Sequence, residues 1–104
     1  MSNNYVDTRG KCEEAVPFTQ AVVNGLANGG GLYVPETIPT LSLDEIVALA
    51  NVPYAKRAAA IYKLFEVDMP EELIDQLMES AYGEQFDNTD ICPIHTLDNN
   101  THIL

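Results

Sequence analysis

Residues 68–83 read DMPEELIDQLMESAYG, and their apolar side chains recur three and four positions apart. This spacing places them along one face of an α-helix. The segment Asp68-Met69-Pro70-Glu71 opens the helix, and the acids Glu71 and Glu72 fall in its first turn, where the helix dipole favours negative charge. Gly83 supplies the C-terminal stop. The predicted buried stripe consists of Leu73, Ile74, Leu77, Met78 and Ala81.

The first of the predicted helices covers residues 17–28. Pro17 suits the first turn, because its missing N–H would have no partner there. The glycines Gly29, Gly30 and Gly31 are expected to end the helix, since glycine readily takes the left-handed conformation of a C-cap. The predicted apolar stripe of this helix consists of Phe18, Ala21, Val22, Gly25 and Leu26.

Two further helices are predicted between these segments. Ser42 and Glu45 have the spacing of a capping box, which predicts a helix that runs to about Ala50. Pro53 opens the next helix in the first-turn position that proline tolerates. The apolar face predicted for that helix consists of Tyr54, Ala58, Ile61 and Phe65.

Short strands complete the expected fold. Residues 4–7 and 32–34 favour extended structure, and residues 94–97 and 102–104 flank a turn-forming segment at positions 98–101. The register of this C-terminal β-hairpin stays open, because a two-residue turn and a three-residue loop place His102 on opposite faces. The sequence therefore predicts an α+β fold, with about four amphipathic helices, a few short strands and one domain over residues 1–104.

Charge excludes several classes of partner. The 104 residues contain 16 acids and 5 bases, for a formal net charge of -11, and ten of the acids lie at positions 66–98, where there is no base. Nucleic acid and anionic membranes need clustered Lys and Arg, so neither is expected as a partner. No apolar run has the length of a membrane span, and the N-terminus lacks a signal-peptide pattern. A cytoplasmic protein is expected.

Four residues have the chemistry of zinc ligands: Cys12, Cys92, His95 and His102. Their spacing is unfavourable, because there is no Cys-x-x-Cys pair and residues three apart on a strand point to opposite faces. A Cys/His nucleophile pair would use the same residues, but no third residue that would orient the histidine is evident. We expect two free thiols, two partly exposed imidazoles and no bound metal.

Arg9 and the three glycines at positions 29–31 are the remaining candidates for a binding site. Glycine-rich loops can cradle phosphate, but normally at the start of a helix, and these glycines follow one. A C-cap and tight turn is therefore expected there. Arg9 could bind a phosphate or carboxylate with two parallel hydrogen bonds, although a surface ion pair is the expected role.

The lysines do not point to a catalytic site. Lys56 and Lys63 lie seven positions apart on one predicted helix face, and Lys11 follows a turn. All three are expected to be solvated and to keep an ordinary pKa, whereas a lysine that forms a Schiff base needs desolvation. From the residues alone, no catalytic, cofactor-binding or metal-binding residue is assigned.

Three blocks near the N-terminus carry a specific resemblance, and they occur in a fixed order: Tyr5-Val6-Asp7-Thr8-Arg9-Gly10, then Phe18-Thr19-Gln20-Ala21-Val22-Val23-Asn24-Gly25-Leu26-Ala27, then Gly30-Gly31-Leu32-Tyr33-Val34-Pro35. The chain resembles the N-terminal region of threonine synthase in these blocks, and more loosely at positions 43–46, 58–65 and 70–82. The block at 93–104 matches as well. The family usually has Ser where this chain has Asp7, and Asp where it has Gly29.

The resemblance implies a function for a longer parent protein. Threonine synthases are carbon–oxygen lyases of threonine biosynthesis that use pyridoxal phosphate to convert O-phospho-L-homoserine and water into L-threonine and phosphate. The family's cofactor lysine follows a Leu-Phe-His-Gly-Pro-Thr segment, which would lie beyond Leu104. The resemblance thus implies an N-terminal domain that packs against the catalytic domains of its own parent chain and is itself inactive, with no cofactor of its own.

Two questions stay open at this point. The apolar run at positions 101–104 leads us to expect a piece of a longer enzyme, whereas a free-standing acidic protein-interaction module is the alternative. The sequence also leaves open whether Arg9 or the glycines at 29–31 line the substrate cleft of the parent.

Overall fold

The computed structural model describes residues 3–11 and 14–104 and has the expected α+β architecture. Within these residues it contains five short strands and four helices. The strands are β1 (Asn4–Asp7), β2 (Val16–Pro17), β3 (Tyr33–Pro35), β4 (His95–Asp98) and β5 (Thr101–Ile103). The helices are α1 (Phe18–Asn24), α2 (Leu43–Leu49), α3 (Tyr54–Leu64) and α4 (Glu71–Ala81).

The three N-terminal strands form one antiparallel sheet in the order β2-β1-β3. Tyr5 pairs with Val16 on one side of β1, and Val6 pairs with Val34 on the other. The sequence did not predict β2, which is only two residues long and too short to show an alternating pattern. Its pairing with β1 fixes where α1 begins, directly after Pro17.

The core lies between α3 and α4 and consists of Ala59, Val67, Ile74 and Met78. Partly buried aromatic residues, including Phe18, Tyr62 and Phe65, pack around it. The stripe predicted for α4 is correct at Ile74 and Met78 but wrong at three positions: Leu73, Leu77 and Ala81 are exposed. The buried stripe is narrow because α4 packs mainly against one other helix, α3.

The first helix is shorter than the sequence predicted. It ends at Asn24, and Gly25 forms the C-cap with a φ of 72° while its N–H donates to the Ala21 carbonyl. The three glycines at positions 29–31 therefore do not end a helix but belong to the following turn, where Gly30 has a φ of 82°. In the predicted stripe Ala21 is buried and Phe18 partly buried, but Val22, Gly25 and Leu26 are exposed.

The predicted starts of α2 and α3 are confirmed. The Ser42 hydroxyl accepts the Glu45 N–H at 3.3 Å, and the Ser42 N–H donates to Glu45 Oε2 at 2.7 Å, which completes the capping box. The hydrogen bond from the Ser42 backbone is the main reason that the pKa of Glu45 lies below its ordinary value. Pro53 precedes the first residue of α3, as expected.

The C-terminal hairpin is confirmed and its register is resolved. Asp98 pairs with Thr101 across a two-residue turn, and Leu97 forms a bulge before the pairing resumes. His102 then lies opposite Thr96, while His95 lies opposite Ile103. No helix in the described ranges combines the length and the apolar character that a membrane crossing requires.

Candidate functional site

The residues around Arg9 and the three glycines form two turns that pack against each other, which we call the double turn (residues 7–11 and 27–32). The Thr8 N–H donates to the Leu32 carbonyl at 2.9 Å, and the Leu32 N–H donates to Thr8 Oγ1 at 3.0 Å. These bonds continue the pairing of β1 with β3 beyond the last paired residues, Asp7 and Tyr33. The sheet thus carries both turns side by side.

The close approach of the two turns requires glycine. A Cβ at Gly31 would lie 3.1 Å from Thr8 Oγ1 and 3.2 Å from the Arg9 nitrogen, and one at Gly29 would lie 2.6 Å from the Lys11 Cβ. Gly30 also needs its positive φ, a conformation that other residues rarely adopt. The glycines therefore serve the contact between the turns rather than the end of a helix.

The backbone of the second turn forms hydrogen bonds within the turn itself. The Gly30 N–H donates to the Ala27 carbonyl at 2.8 Å, and the Ala27 N–H donates to the Gly31 carbonyl at 3.0 Å. Both N–H groups are thus used within the turn, so neither is free for an anion. The expectation of a tight turn is confirmed.

The buried carboxylate of Asp7 stabilises the first turn by hydrogen bonds to its backbone. Asp7 is 7% exposed, and its two carboxylate oxygens accept the Lys11 N–H at 3.1 and 3.0 Å. A buried carboxylate needs such partners because removing a charge from water is costly. Asp7 thus stabilises the first turn through its side chain.

Arg9 lies across the second turn. Its Nη1 donates to the Gly29 carbonyl at 3.3 Å, and the same nitrogen would be 3.0 Å from a Cβ at Gly30. The surface ion pair expected for Arg9 is not found within the described ranges, where the observed partner is a backbone carbonyl. The guanidinium has five N–H donors, so Arg9 retains capacity for an anionic group.

The candidate zinc ligands that the structure describes do not come together. Cys12 lies outside the described residues, and His95 and His102 occupy neighbouring cross-strand pairs, so their side chains leave opposite faces of the hairpin. His102 Nδ1 lies 3.0 Å from Thr96 Oγ1. No group of three or more potential metal-binding side chains is found in the part of the chain that the structure describes.

Cys92 has a partner that the sequence did not indicate. Its thiol donates to the Tyr54 hydroxyl at 3.3 Å, which links the segment after α4 to the first residue of α3. The pKa of Tyr54 lies above its ordinary value, because the neighbouring Cys92 sulfur disfavours the phenolate. With neither histidine as its partner, the geometry of an activated Cys/His nucleophile is not present at Cys92.

Lys63 differs from its predicted state. Its Nζ forms an ion pair with Asp75, at 2.8 Å from Oδ1 and 2.9 Å from Oδ2, and so joins α3 to α4. The hydrogen bond to Asp75 raises the pKa of Lys63, which keeps the amine protonated and unreactive as a nucleophile. Lys11 and Lys56 are exposed, as predicted.

Two contacts that sequence reasoning missed hold helix ends in place. Arg57 donates from Nε to the Leu49 carbonyl at 2.9 Å, and from Nη2 to the carbonyls of Ala50 at 3.0 Å and Val52 at 3.1 Å. These acceptors lie at and just after the C-terminus of α2, where a cation also interacts favourably with the helix dipole. This role of Arg57 was not evident from the sequence.

The second missed contact caps α1. The Thr19 N–H donates to Asp68 Oδ1 at 2.9 Å, and the Thr19 hydroxyl donates to the other oxygen of the same carboxylate. These bonds stabilise the charged form and place the pKa of Asp68 below its ordinary value, with the hydroxyl bond as the larger cause. Because the two residues are 49 positions apart, no local capping pattern could reveal the pair.

A family profile and several known proteins match the sequence of this chain. A family profile described as "Threonine synthase N terminus" matches residues 4–82. "Threonine synthase-like 1" from Homo sapiens is 34% identical over 113 residues, which cover 99% of this chain and 15% of that protein. "Threonine synthase" from Corynebacterium glutamicum is 34% identical over 105 residues, or 96% of this chain and 22% of that protein.

The fold has a solved counterpart. The crystal structure of PLP-bound threonine synthase from Brucella melitensis superposes with a TM-score of 0.83 at 32% identity, over 98% of this chain and 22% of that one. The chain thus spans between 15% and 22% of the length of these proteins. The match includes both halves of the double turn, since residues 4–82 contain them.

Proposed function

Because the chain belongs to the threonine synthase family through its N-terminal region, we propose that residues 1–104 are the N-terminal domain of a longer threonine synthase. The parent enzyme converts O-phospho-L-homoserine and water into L-threonine and phosphate, as a pyridoxal-phosphate-dependent carbon–oxygen lyase of amino-acid biosynthesis in the cytoplasm. The observation that carries this proposal is the family match over residues 4–82, which is specific to the N-terminal region of these enzymes.

The residues of this chain do not fit the cofactor. Pyridoxal phosphate binds its enzymes through a lysine whose amine must lose its proton to react, and it supplies the electron sink of the reaction. Lys63 is held protonated by Asp75, and Lys11 and Lys56 are exposed on the surface. We therefore propose that the cofactor and the catalytic residues belong to the rest of the parent.

Exposed apolar side chains support a structural role against the catalytic domains. Three residues of α2, Leu43, Ile46 and Val47, lie at the spacing of one helix face, yet all are exposed, with Leu43 at 74%. Val22 and Val23 of α1 are exposed as well, with Val23 at 81%. Exposed apolar side chains of this size on a helix face are typical of an interface between domains.

The test compares this chain with the longer protein encoded by the same reading frame. Both are assayed with pyridoxal phosphate for cofactor absorbance and for phosphate release from O-phospho-L-homoserine. We expect both signals from the longer protein and neither from the 104-residue chain. If the 104-residue chain bound one cofactor and released phosphate, the proposal that catalysis belongs to the rest of the parent would be wrong. A reading frame that ends at residue 104 would favour the free-standing interaction module.

A further inference from the structure

A surface cavity of about 570 Å³ lies where the start of α3 meets the end of α4 and the loop that follows. Three aromatic residues, Tyr54, Tyr82 and Phe86, line it together with the acids Glu84 and Asp87. We call these five residues the aromatic groove. Neither the family resemblance nor the proposed function assigns them a role.

The rings of the aromatic groove form a continuous, ordered surface. The centroids of Tyr54 and Tyr82 are 4.9 Å apart with the rings inclined at 62°, and Tyr82 stacks on Phe86 at 6.3 Å and 17°. The Cys92 thiol, which donates to the Tyr54 hydroxyl, fixes one end of this row. Phe86 at the other end is exposed, so the row can accept a ligand from solvent.

The other end of the row is fixed through the backbone. The Gln85 side-chain amide donates to the Ser80 carbonyl at 3.0 Å and to the Ala81 carbonyl, which caps the C-terminus of α4. Gln85 stands between Glu84 and Phe86, so this cap fixes the backbone next to both residues. The C-terminus of α4 adds the partial negative charge of the helix dipole.

The charged residues that line the groove are both acidic. Its charged lining residues are Glu84 and Asp87, and residues 64–104 contain ten acids and neither Lys nor Arg. The Arg57 side chain does not line the groove; it bonds to the carbonyls at the end of α2. A ligand in the groove therefore contacts aromatic rings and carboxylates, while the Arg57 charge acts on Tyr54 from outside the groove.

We propose that the aromatic groove binds an organic cation, an alkylammonium or guanidinium group. The negative faces of Tyr and Phe rings attract cations, most effectively those that give up their water easily, and carboxylates at the rim add attraction at longer range. A small hydrated ion such as Na⁺ gains little from ring faces. The cation can come from a free small molecule or from a basic side chain of another protein, since both present the same chemistry.

Titration of the 104-residue chain tests the proposal. The ring-proton NMR signals of Tyr54, Tyr82 and Phe86 are followed during addition of choline and, separately, of N-acetyl-L-argininamide. The neutral isosteres 3,3-dimethylbutan-1-ol and N-acetyl-citrullinamide serve as controls. We expect saturable shifts with a cation and at least about tenfold weaker binding of its isostere. Tighter binding of choline would identify a free ammonium compound as the source, and tighter binding of the argininamide an arginine side chain.

Matched variants localise the binding. Phe86→Leu removes one ring at an exposed position, and the double variant Glu84→Gln/Asp87→Asn removes the two charges; each should weaken cation binding by about threefold or more. Glu72→Gln, in the exposed first turn of α4, alters charge away from the groove and should leave binding unchanged. Equal binding of cations and isosteres, or full affinity in Phe86→Leu with native chemical shifts elsewhere, would overturn the proposal.

Discussion

The carboxylate of Asp68 caps the first turn of α1 by accepting both the N–H and the hydroxyl of Thr19. Pro17, at the N-cap position of α1, has no side-chain group that could do this. The cap therefore comes from the segment between α3 and α4, and it joins the helix that follows the sheet to the helical pair that forms the core. A single side chain thus couples the two halves of the fold.

Replacement of Asp68 should destabilise the chain through this coupling. Asp68→Ala removes both acceptors, and we expect the free energy of unfolding to fall by about 1 kcal/mol, the usual cost of a lost helix cap. Denaturation in urea measures the change. Asp90→Ala, in the exposed loop after α4, is the matched control and should have almost no effect. An equal loss in both variants would mean that general charge, and not the cap, is responsible.

The same contact predicts a pH dependence. Because the pKa of Asp68 is lower in the folded chain than in the unfolded chain, its contribution to stability is complete above the unfolded pKa and is lost as the pH falls through the folded pKa. The wild-type chain should therefore lose the contribution of Asp68 below about pH 4. Asp68→Asn, which cannot ionise, should show a smaller fall in stability over that range. Parallel stability curves for the two proteins would contradict this.

Arg57 should be the residue that holds α2 in place. Arg57→Ala removes the bonds to the carbonyls of Leu49, Ala50 and Val52, and we expect a loss of about 2 kcal/mol with faster amide exchange in α2. Arg57→Lys should recover only part of the stability, since an ammonium lacks the planar fork of the guanidinium. Lys56→Ala, the exposed neighbour, is the control. Unchanged exchange rates in α2 of Arg57→Ala would disprove this role.

The double turn gives a prediction about glycine. A methyl group at Gly31 would press on Thr8 Oγ1 and on the Arg9 backbone, so Gly31→Ala should cost about 2 kcal/mol, in the range of overpacked sites. Thermal unfolding measures the cost. Asn28→Ala, at an exposed position in the same connection, should be nearly neutral. A shift of the backbone NMR signals of residues 8–11 in Gly31→Ala would identify the clash as the cause, whereas a neutral substitution would show that the turns can separate freely.

The sequence predicted the local features well, because each depends on residues within one turn. The capping box of Ser42 and Glu45 needs only its own four positions, and the hairpin needs only the turn residues between its strands. The end of α1 was mispredicted because two glycine sites, Gly25 and the run at 29–31, were available. The contact of that run with Thr8 and Arg9 decided between them, and it joins residues about twenty positions apart.

The candidate sites show the same contrast between local features, which the sequence predicted, and long-range contacts, which it did not. The sequence singled out Arg9 and the glycines as a region of interest, but it gave no sign that they contact each other. The aromatic groove was missed altogether, because Tyr54 and Tyr82 belong to different helices and come together only when α3 packs on α4. Likewise, helical spacing alone could not show that Leu73 and Leu77 face solvent while Ile74 and Met78 are buried.

Substitutions on the exposed face of α2 should affect the stability of this chain and of its proposed parent differently. Ile46→Gln and Val47→Gln replace exposed side chains, so in the 104-residue chain the double variant should change stability by less than about 0.5 kcal/mol. In the longer protein this face is proposed to be covered by the catalytic domains, where burial of two polar amides without partners should cost several times more. Thermal unfolding of both proteins, with and without the substitutions, measures the difference.

Ile74→Ala is the control, because Ile74 is 1% exposed in the core and its truncation should destabilise both proteins by about 2–5 kcal/mol. If the α2 variant is as harmless in the longer protein as in this chain, then α2 is not part of the interface and another exposed face must take that role.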